Sequence, residues 1–350
     1  GVVSSGTTDF IDCTGSTGVT TVTVSVNVPV GKTVDYLNLQ SYREVTSVDI
    51  SNLVNLRRFF CSDNSLTSID ISNQTNLSQL YVDNNNLTAL DVSHLSSIGD
   101  IVCNDNNIST LDLSSTSVGG ELWVFNNNLT TLDLSNSSGI YRLLAANNSL
   151  TSITAGSSLD LGEFRVNGNN LTSIDVSNYP NLYSLEVAQN SLNSLNISSN
   201  TKLIKLECGG NSLTSISFTN NTLLESISTS NSGITSLDIT MLPNLEALTA
   251  IGTPISSLNT SNNPLLRFIY VINTQFLTTI DISNNPDINY MNFVANNQTV
   301  TSTNNILINL NTAGLSNGTL RIRNNKSGAG VTAYNSLITK GWDIIDTSTT

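Results

Sequence analysis

The side chains in this sequence best suited to covalent or metal chemistry are four cysteines, a lone histidine and 26 acidic residues among 350. Cys61 lies in "FFCSDNSLTSIDIS", between an aromatic pair and a run of Ser, Asp and Asn, where a thiol could be a disulfide partner, a metal ligand, a nucleophile or core filling. Cys103 stands two steps of 21 residues beyond Cys61, and Cys208 five steps beyond Cys103, on a register otherwise held by Val82, Val124, Val166, Val187 and Val271. If each step is one turn of a stacked chain, thiols two steps apart are separated by roughly 10 Å, beyond the ~7 Å Cα limit of a disulfide. These three cysteines therefore read as small hydrophobes standing in for valine. Cys13 falls outside the repeats and reads as a free thiol. His94 sits in a turn, no Gly-rich phosphate loop follows a strand signal, and no cysteine has a base beside it, so no residue is assigned as catalytic and the chain reads as a non-enzyme.

The elements that would carry these side chains follow from composition and period. Charged residues make up 11% and aromatics 6%, with Ser, Thr and Asn dominating the polar content, which suits turns and β-edges rather than long helices. Thirteen basic against 26 acidic residues give a net charge of −13, a field that repels polyphosphate and anionic lipid and argues against nucleic-acid binding. No apolar run approaches the roughly 20 residues of a bilayer span, so membrane insertion is not expected. The start at Gly1 shows no basic, hydrophobic leader, which is expected of the mature form of a secreted or cell-surface protein.

Stepping 21 residues from Leu66 lands on Leu87, Ile108, Leu129, Leu150, Leu171, Leu192, Leu213, Ile234 and Ile255 without a miss. A second register runs from Ile69 to Leu258, and a third holds Asn64, Asn85, Asn106, Asn127, Asn148, Asn169, Asn190 and Asn211. The unit reads LxxLxVxxNxLTSLDISNxxN, and over Asp35 to Asn297 it resembles the leucine-rich repeat, in the short bacterial form found in surface and secreted proteins, internalin-like ones included. The resemblance implies a recognition scaffold, not a reaction.

Spacing alone makes the same fold. Leu56, Phe59 and Cys61 place apolar groups inward on one strand, Ile69 and Ile71 do so on the return leg, and 21 residues leave no room for a helix on the outer side. The expectation is an all-β leucine-rich-repeat solenoid, gently curved, of 21-residue coils with parallel strands, a β-rich N-terminal cap over 1–34, the repeats over 35–297 and a small mixed C-terminal cap over 298–350. Alternating valines in "VTVSVNVPV" supply the first cap; "LRIRNN" and "TAYNSLITKGW", a strand and a short helix stopped by Gly341, supply the second. This closing segment is similar to those that follow repeats in some bacterial and bacteriophage proteins, which leaves a virion surface open. The repeated Asn is expected to turn inward and bond backbone groups of its own and the next coil.

Function is expected among the residues that point outward between the inward ones, because ligands of leucine-rich-repeat proteins usually meet the concave strand face. Phe60, Tyr81, Val102, Trp123 and Phe125 form a candidate apolar patch there, flanked by Asp63, Asp83, Asp100 and Asp105. The ligand-binding set read from it is Phe60, Tyr81, Asp83, Asp105, Trp123 and Phe125, for a protein or glycan on a cell surface. Stacked aromatics that merely stabilise adjacent strands are the competing reading. A second patch gathers Ile251, Phe268, Tyr270, Ile272 and Tyr290, which the C-terminal segment could cover. Arg142 beside Glu163, and Arg165 beside Glu186, would neutralise one another.

On the return leg Asp49, Asp70, Asp91, Asp112 and Asp133 recur, then Asp175, Asp238 and Asp281; these could share Ca²⁺ or accept backbone amides, and Asn196 and Asn259 in the same column favour the amides. Asp63, Asp83 and Asp105 are a second Ca²⁺ candidate; no other cofactor is indicated. Finally Thr67, Thr88, Ser109, Thr130, Thr151, Thr172, Asn193, Thr214 and Thr235 make a column of mostly hydroxyls, the basis of an alternative reading as a structural or ice-binding surface. Oligomeric state is not encoded in any of these patterns.

Overall fold

The structure, a computed structural model, describes residues 10–12, 22–25, 33–40, 45–154, 156, 160–274, 277, 279–282, 284–294, 296, 299–323 and 325–346. Cys13 and the valines Val26, Val28 and Val30 lie outside the described residues. The chain divides into two compact units, Gly1–Leu171 and Thr172–Thr350.

In the first unit the main sheet is built from Phe10–Asp12, Tyr36–Asn38, Arg58–Phe60, Gln79–Tyr81, Asp100–Val102, Glu121–Trp123, Arg142–Leu144 and Glu163–Arg165, each strand parallel to the last. The middle residue of each strand points inward: Leu37, Phe59, Leu80, Ile101, Leu122, Leu143 and Phe164 stand in register and are buried. Burying one such side chain contributes about 1.5–3 kcal/mol, and a one-residue slip would turn the whole row to water. On the return side, Val22–Ser25 pairs with Val45–Asp49 and Thr131–Asp133 with Ser152–Thr154, and just before the main-sheet strands Ser97–Ile98 pairs with Ser117–Val118, all in parallel. Phe10–Asp12 and Val22–Ser25 thus each add a parallel strand in line with the coil that follows.

The second unit repeats the plan with Ser184–Glu186, Lys205–Glu207, Ser226–Ser228, Ala247–Thr249, Phe268–Tyr270 and Tyr290–Asn292. Its sheet continues through Thr319–Ile322 and Asp343–Asp346, still parallel. Helix α1 (Val300–Thr312) precedes the first of these strands and helix α2 (Ala329–Thr339) the second. Gly341, at φ 84°, ends the α2 segment as the sequence predicts. The spacing does not predict α1; Thr299 caps it by accepting the Ser302 N–H at 3.1 Å. Trp342 is buried behind α2, its Nε1 donating to the Leu315 carbonyl at 3.1 Å.

Two side-chain ladders bind coil to coil. Asn85 donates to the carbonyls of Cys61 and Val82 at 2.9 and 3.1 Å and accepts the Leu66 N–H at 3.0 Å. The inward Asn therefore bonds its own and the preceding coil, where the sequence reading placed its outside partners in the next one. The second ladder, not apparent from the sequence, occupies the opposite turn: Asn200 donates to Val176 and Tyr179 carbonyls at 2.8 and 2.9 Å, and Asn221 and Asn263 repeat the arrangement. Between strand and Asn ladder the backbone must enter the left-handed region once per coil. Asp63, Asn84, Asp105, Asn126 and Asn147 do so at φ 50–57°, followed by Gly168 at φ 66°. Asn, Asp and Gly occupy that region at the least steric cost, which explains the column's composition.

Candidate functional site

Side chains on either side of each inward residue line the outer face of the main sheet, so the columns that start at Arg58 and Phe60 are presented side by side. In the first unit Phe60 stacks on Tyr81 with ring centroids 4.5 Å apart and planes at 27°, while Tyr36 meets Phe60 edge-on at 5.2 Å and 81°. All three rings are partly exposed. The Arg58 guanidinium lies 4.9 Å from the Tyr36 ring centre. Tyr36 escaped the sequence reading because the coil that separates it from Arg58 has 22 residues, one more than the repeat.

The remaining members are less contiguous than the sequence implies. Val102 is buried at 5% exposure between Tyr81 and Trp123, so it does not extend the patch. Trp123 is partly exposed, with the Arg142 guanidinium 5.7 Å from its ring centre. Phe125, also partly exposed, lies past the strand end, in the column of Asp83. Asp100 binds the strands at the patch centre: it accepts from Gln79 Nε2 at 2.8 Å, from the Tyr81 hydroxyl at 3.4 Å and from the Glu121 N–H at 3.0 Å. Burial first, and the Asp100 carboxylate second, push the Tyr81 hydroxyl up to about 12, so it stays a neutral donor.

Beyond the rings the face becomes an ion-pair network. Arg142 reaches Glu163 at 2.6 Å and Glu121 at 3.5 Å, and Arg165 also pairs with Glu163. Tyr141 donates its hydroxyl to Glu121 at 2.8 Å. The expected Arg142–Glu163 pair is thus present, and these charges satisfy one another.

Asp63, Asp83 and Asp105 do not converge. Asp83 accepts from the Ser62 hydroxyl, Asp63 from the Asn84 amide, and Asp105 from the Asn126 and Asn104 amides at 2.6 and 2.7 Å. Burial raises the Asp83 carboxyl above its ordinary range. Among the described residues no three His, Cys, Asp or Glu side chains are placed to hold a metal ion. On the return leg Asp49, Asp70, Asp91, Asp112, Asp133, Asp175 and Asp238 each accept the N–H two residues on at 2.9–3.1 Å, and Asn196 and Asn259 do the same. Cys61, Cys103 and Cys208 are free, equally buried thiols, and burial pushes each up to about 12.

In the second unit Tyr270 and Tyr290 stack with centroids 4.9 Å apart, Phe268 is 37% exposed, and Ile251 and Ile272 are partly exposed. The C-terminal strands extend this sheet edge to edge and leave Phe268 uncovered. Lys205 bridges Glu186 and Glu207 at 2.7 and 2.8 Å.

Parallel coils of 21 residues, an inward aliphatic row, an Asn ladder and, up to the coils that carry α1 and α2, a return leg without helix among the described residues define the leucine-rich-repeat fold. The same fold is found in the functional domain of InlJ from Listeria monocytogenes, described as including a cysteine ladder, at 24% identity and TM-score 0.69 over 87% of this chain and 72% of that one. The Leptospira interrogans protein LIC12759 matches at 21% identity and TM-score 0.65 over 77% and 76% of the two chains, and the L. monocytogenes internalin InlF at 21% and 0.63 over 89% and 86%. No protein-family model matches the sequence, and no curated protein is similar to it. No helix among the described residues is long and apolar enough to cross a membrane.

Proposed function

We propose that the chain is a non-catalytic recognition module of a secreted or surface-displayed protein, and that the first unit engages a protein partner on the outer face of its main sheet. The observation that carries this reading is the partly exposed ring cluster Tyr36–Phe60–Tyr81, in a chain with only 6% aromatics. Trp123, Phe125, Asp83 and Asp105 complete the surface. Rigid, half-exposed aromatics are the side chains that most often anchor interfaces, since they bury much area at little entropic cost. Asp63, Asp83, Asp100 and Asp105 around them suit a partner that brings basic as well as apolar side chains. Binding to intact cells and to a glycan array tests the proposal. Tyr81→Ala with Trp123→Ala should weaken retention by about tenfold or more with the fold intact by circular dichroism. Undiminished retention would overturn it, and glycan-array signal without any protein target would replace the protein partner with a saccharide.

A second reading rests on the column Thr67, Thr88, Ser109, Thr130 and Thr151, exposed on five successive coils of the first unit. An ordered hydroxyl row of this kind is a candidate ice-adhesive surface. Ice-recrystallisation inhibition that disappears on replacing Thr130 and Thr151 by Ala would favour it; an inactive wild-type protein eliminates it.

A further inference from the structure

Charges on the outer face of the main sheet are matched almost everywhere except near the end of the second unit. Of the described basic side chains in the outward columns, Arg142, Arg165 and Lys205 meet carboxylates, and Arg58 lies over the Tyr36 ring. Arg321 and Arg323 have neither a carboxylate nor a ring partner among the described residues, and both are exposed. Strand alternation fixes where they point. Leu320 and Ile322 are buried at 0% and 1%, so Arg321 and, two places on, Arg323 stand on the opposite, outer face.

These arginines border an apolar platform. Arg321 is level with Asn292 on the neighbouring strand and therefore diagonal to Tyr290, whose ring stacks on Tyr270 at 4.9 Å. Phe268, 37% exposed, adjoins Tyr290 in its column, and Ile272 and Val294 are partly exposed alongside. From Ser226 to the last strand the outward columns hold one carboxylate among the described residues, Asp343, and no ion pair joins it to either arginine. In a chain of net charge −13 the local sign is thus inverted. The ring cluster of the first unit is the contrasting case, since Asp63, Asp83, Asp100 and Asp105 surround it.

We propose that this surface docks an extended acidic peptide segment of a partner protein, of the form Glu-x-Glu-x-Phe or its Asp equivalent. Residues two apart on an extended chain set their side chains about 6–7 Å apart on one side, the spacing at which Arg321 and Arg323 follow each other. Two carboxylates at alternate positions therefore meet two guanidiniums, each able to hold its partner through a pair of parallel N–H···O bonds. The next place on that side of the peptide falls toward Tyr290 and Phe268, which take an apolar ring. A saccharide fits this face less well. Tyr270 and Tyr290 cover one another, and the aliphatic neighbours offer sugar hydroxyls no acceptor.

The test titrates the full chain against a fluorescein-labelled peptide, Gly-Glu-Ser-Glu-Ser-Phe-Gly, and follows anisotropy. Two labelled analogues carry Gln for both Glu or Ala for Phe, and labelled polygalacturonate serves as an anionic saccharide. The acidic peptide should bind, and less tightly as salt rises. Each analogue should bind about tenfold or more weakly, and so should the acidic peptide to Phe268→Ala and to Arg321→Ala with Arg323→Ala. Both arginines are exposed and unpaired, so their double variant keeps the fold. Arg57→Ala with Lys202→Ala removes equal charge elsewhere and should bind as the parent does. No binding of the acidic peptide, equal loss in the two double variants, or undiminished binding by Arg321→Ala with Arg323→Ala would overturn the proposal. Tighter capture of polygalacturonate through the same arginines would overturn it in favour of an anionic saccharide. Tyr81→Ala lies on the first unit and leaves this surface untouched, so the two surfaces fail or hold independently.

Discussion

Asn127 shows how much one side chain carries in a stack of this kind. Its Nδ2 donates to the carbonyls of Cys103, Val124 and Phe125 at 3.0, 3.2 and 3.4 Å, and its Oδ1 accepts the Ile108 N–H at 2.9 Å. Replacement by Ala orphans a buried N–H and at least one buried carbonyl, each costing about 1–3 kcal/mol, so Asn127→Ala should lower the unfolding free energy by about 3 kcal/mol in urea titration. A loss below 1 kcal/mol would show that water enters and restores the bonds. The column itself was legible, because eight Asn residues recur at one spacing. The direction of its bonds was not, since spacing says which residues face inward but not whether a side chain leans toward the coil before or after it. The three thiols were legible for the same reason: a cysteine that alternates with valine on an inward register has no route to solvent.

At the scale of the element, the return turn is a carboxylate closing on an amide two residues away. Hydroxyl and amide donors of the following Ser or Thr hold Asp49, Asp70, Asp91, Asp112, Asp133, Asp175 and Asp238 below the usual carboxylate value of 3.8. A carboxyl whose value is lowered by folding binds its proton more readily when unfolded. Its contribution is therefore fully present above the unfolded value and is lost as pH falls through the folded one. Stability should decline below pH 3.8 through several turns at once. Asp112→Asn and Asp133→Asn should flatten that decline while changing little at pH 7, because Asn196 and Asn259 already close the same turn. Thermal melts from pH 2 to 7 measure it, and an unchanged acid limb would place the sensitive carboxylates elsewhere. This element was readable from the Asp and Asn column alone. Helix α1 was not: Ile306, Leu307 and Leu310 form a short apolar stripe in a segment rich in Asn and Thr, and neither helix end carries a helpful charge. Its signal is weaker than the loss of the repeat beside it.

For the whole molecule, what the sequence states most firmly is the coil length, because a parallel stack requires that like residues fall above one another. Strand registers such as Ser226 on Ala247 and Ala247 on Phe268 keep the 21-residue step in the second unit. Each coil bonds its neighbours and buries one layer of aliphatics, so stability accumulates layer by layer rather than from one shared centre. The exposed faces were less legible, since burial of Val102 and the lean of Arg142 toward Trp123 depend on side chains of the adjacent strands, outside any single repeat. The period makes a strict demand that can be tested by deletion. Removing residues 233–253 takes out one 21-residue coil and joins Ser232 to Pro254, with every inward position still inward. Removing 233–254, one residue more, leaves a coil one residue short of the repeat, so that Leu258 and Ile269 can no longer both reach their inward rows, whereas an extra residue is absorbed in a turn, as between Phe268 and Tyr290. The first variant should fold with a β-type circular dichroism spectrum and a melting temperature within a few degrees of the parent; the second should unfold cooperatively at a much lower temperature or aggregate. Equal melting of the two would mean that the turns, and not the stacked rows, set the register.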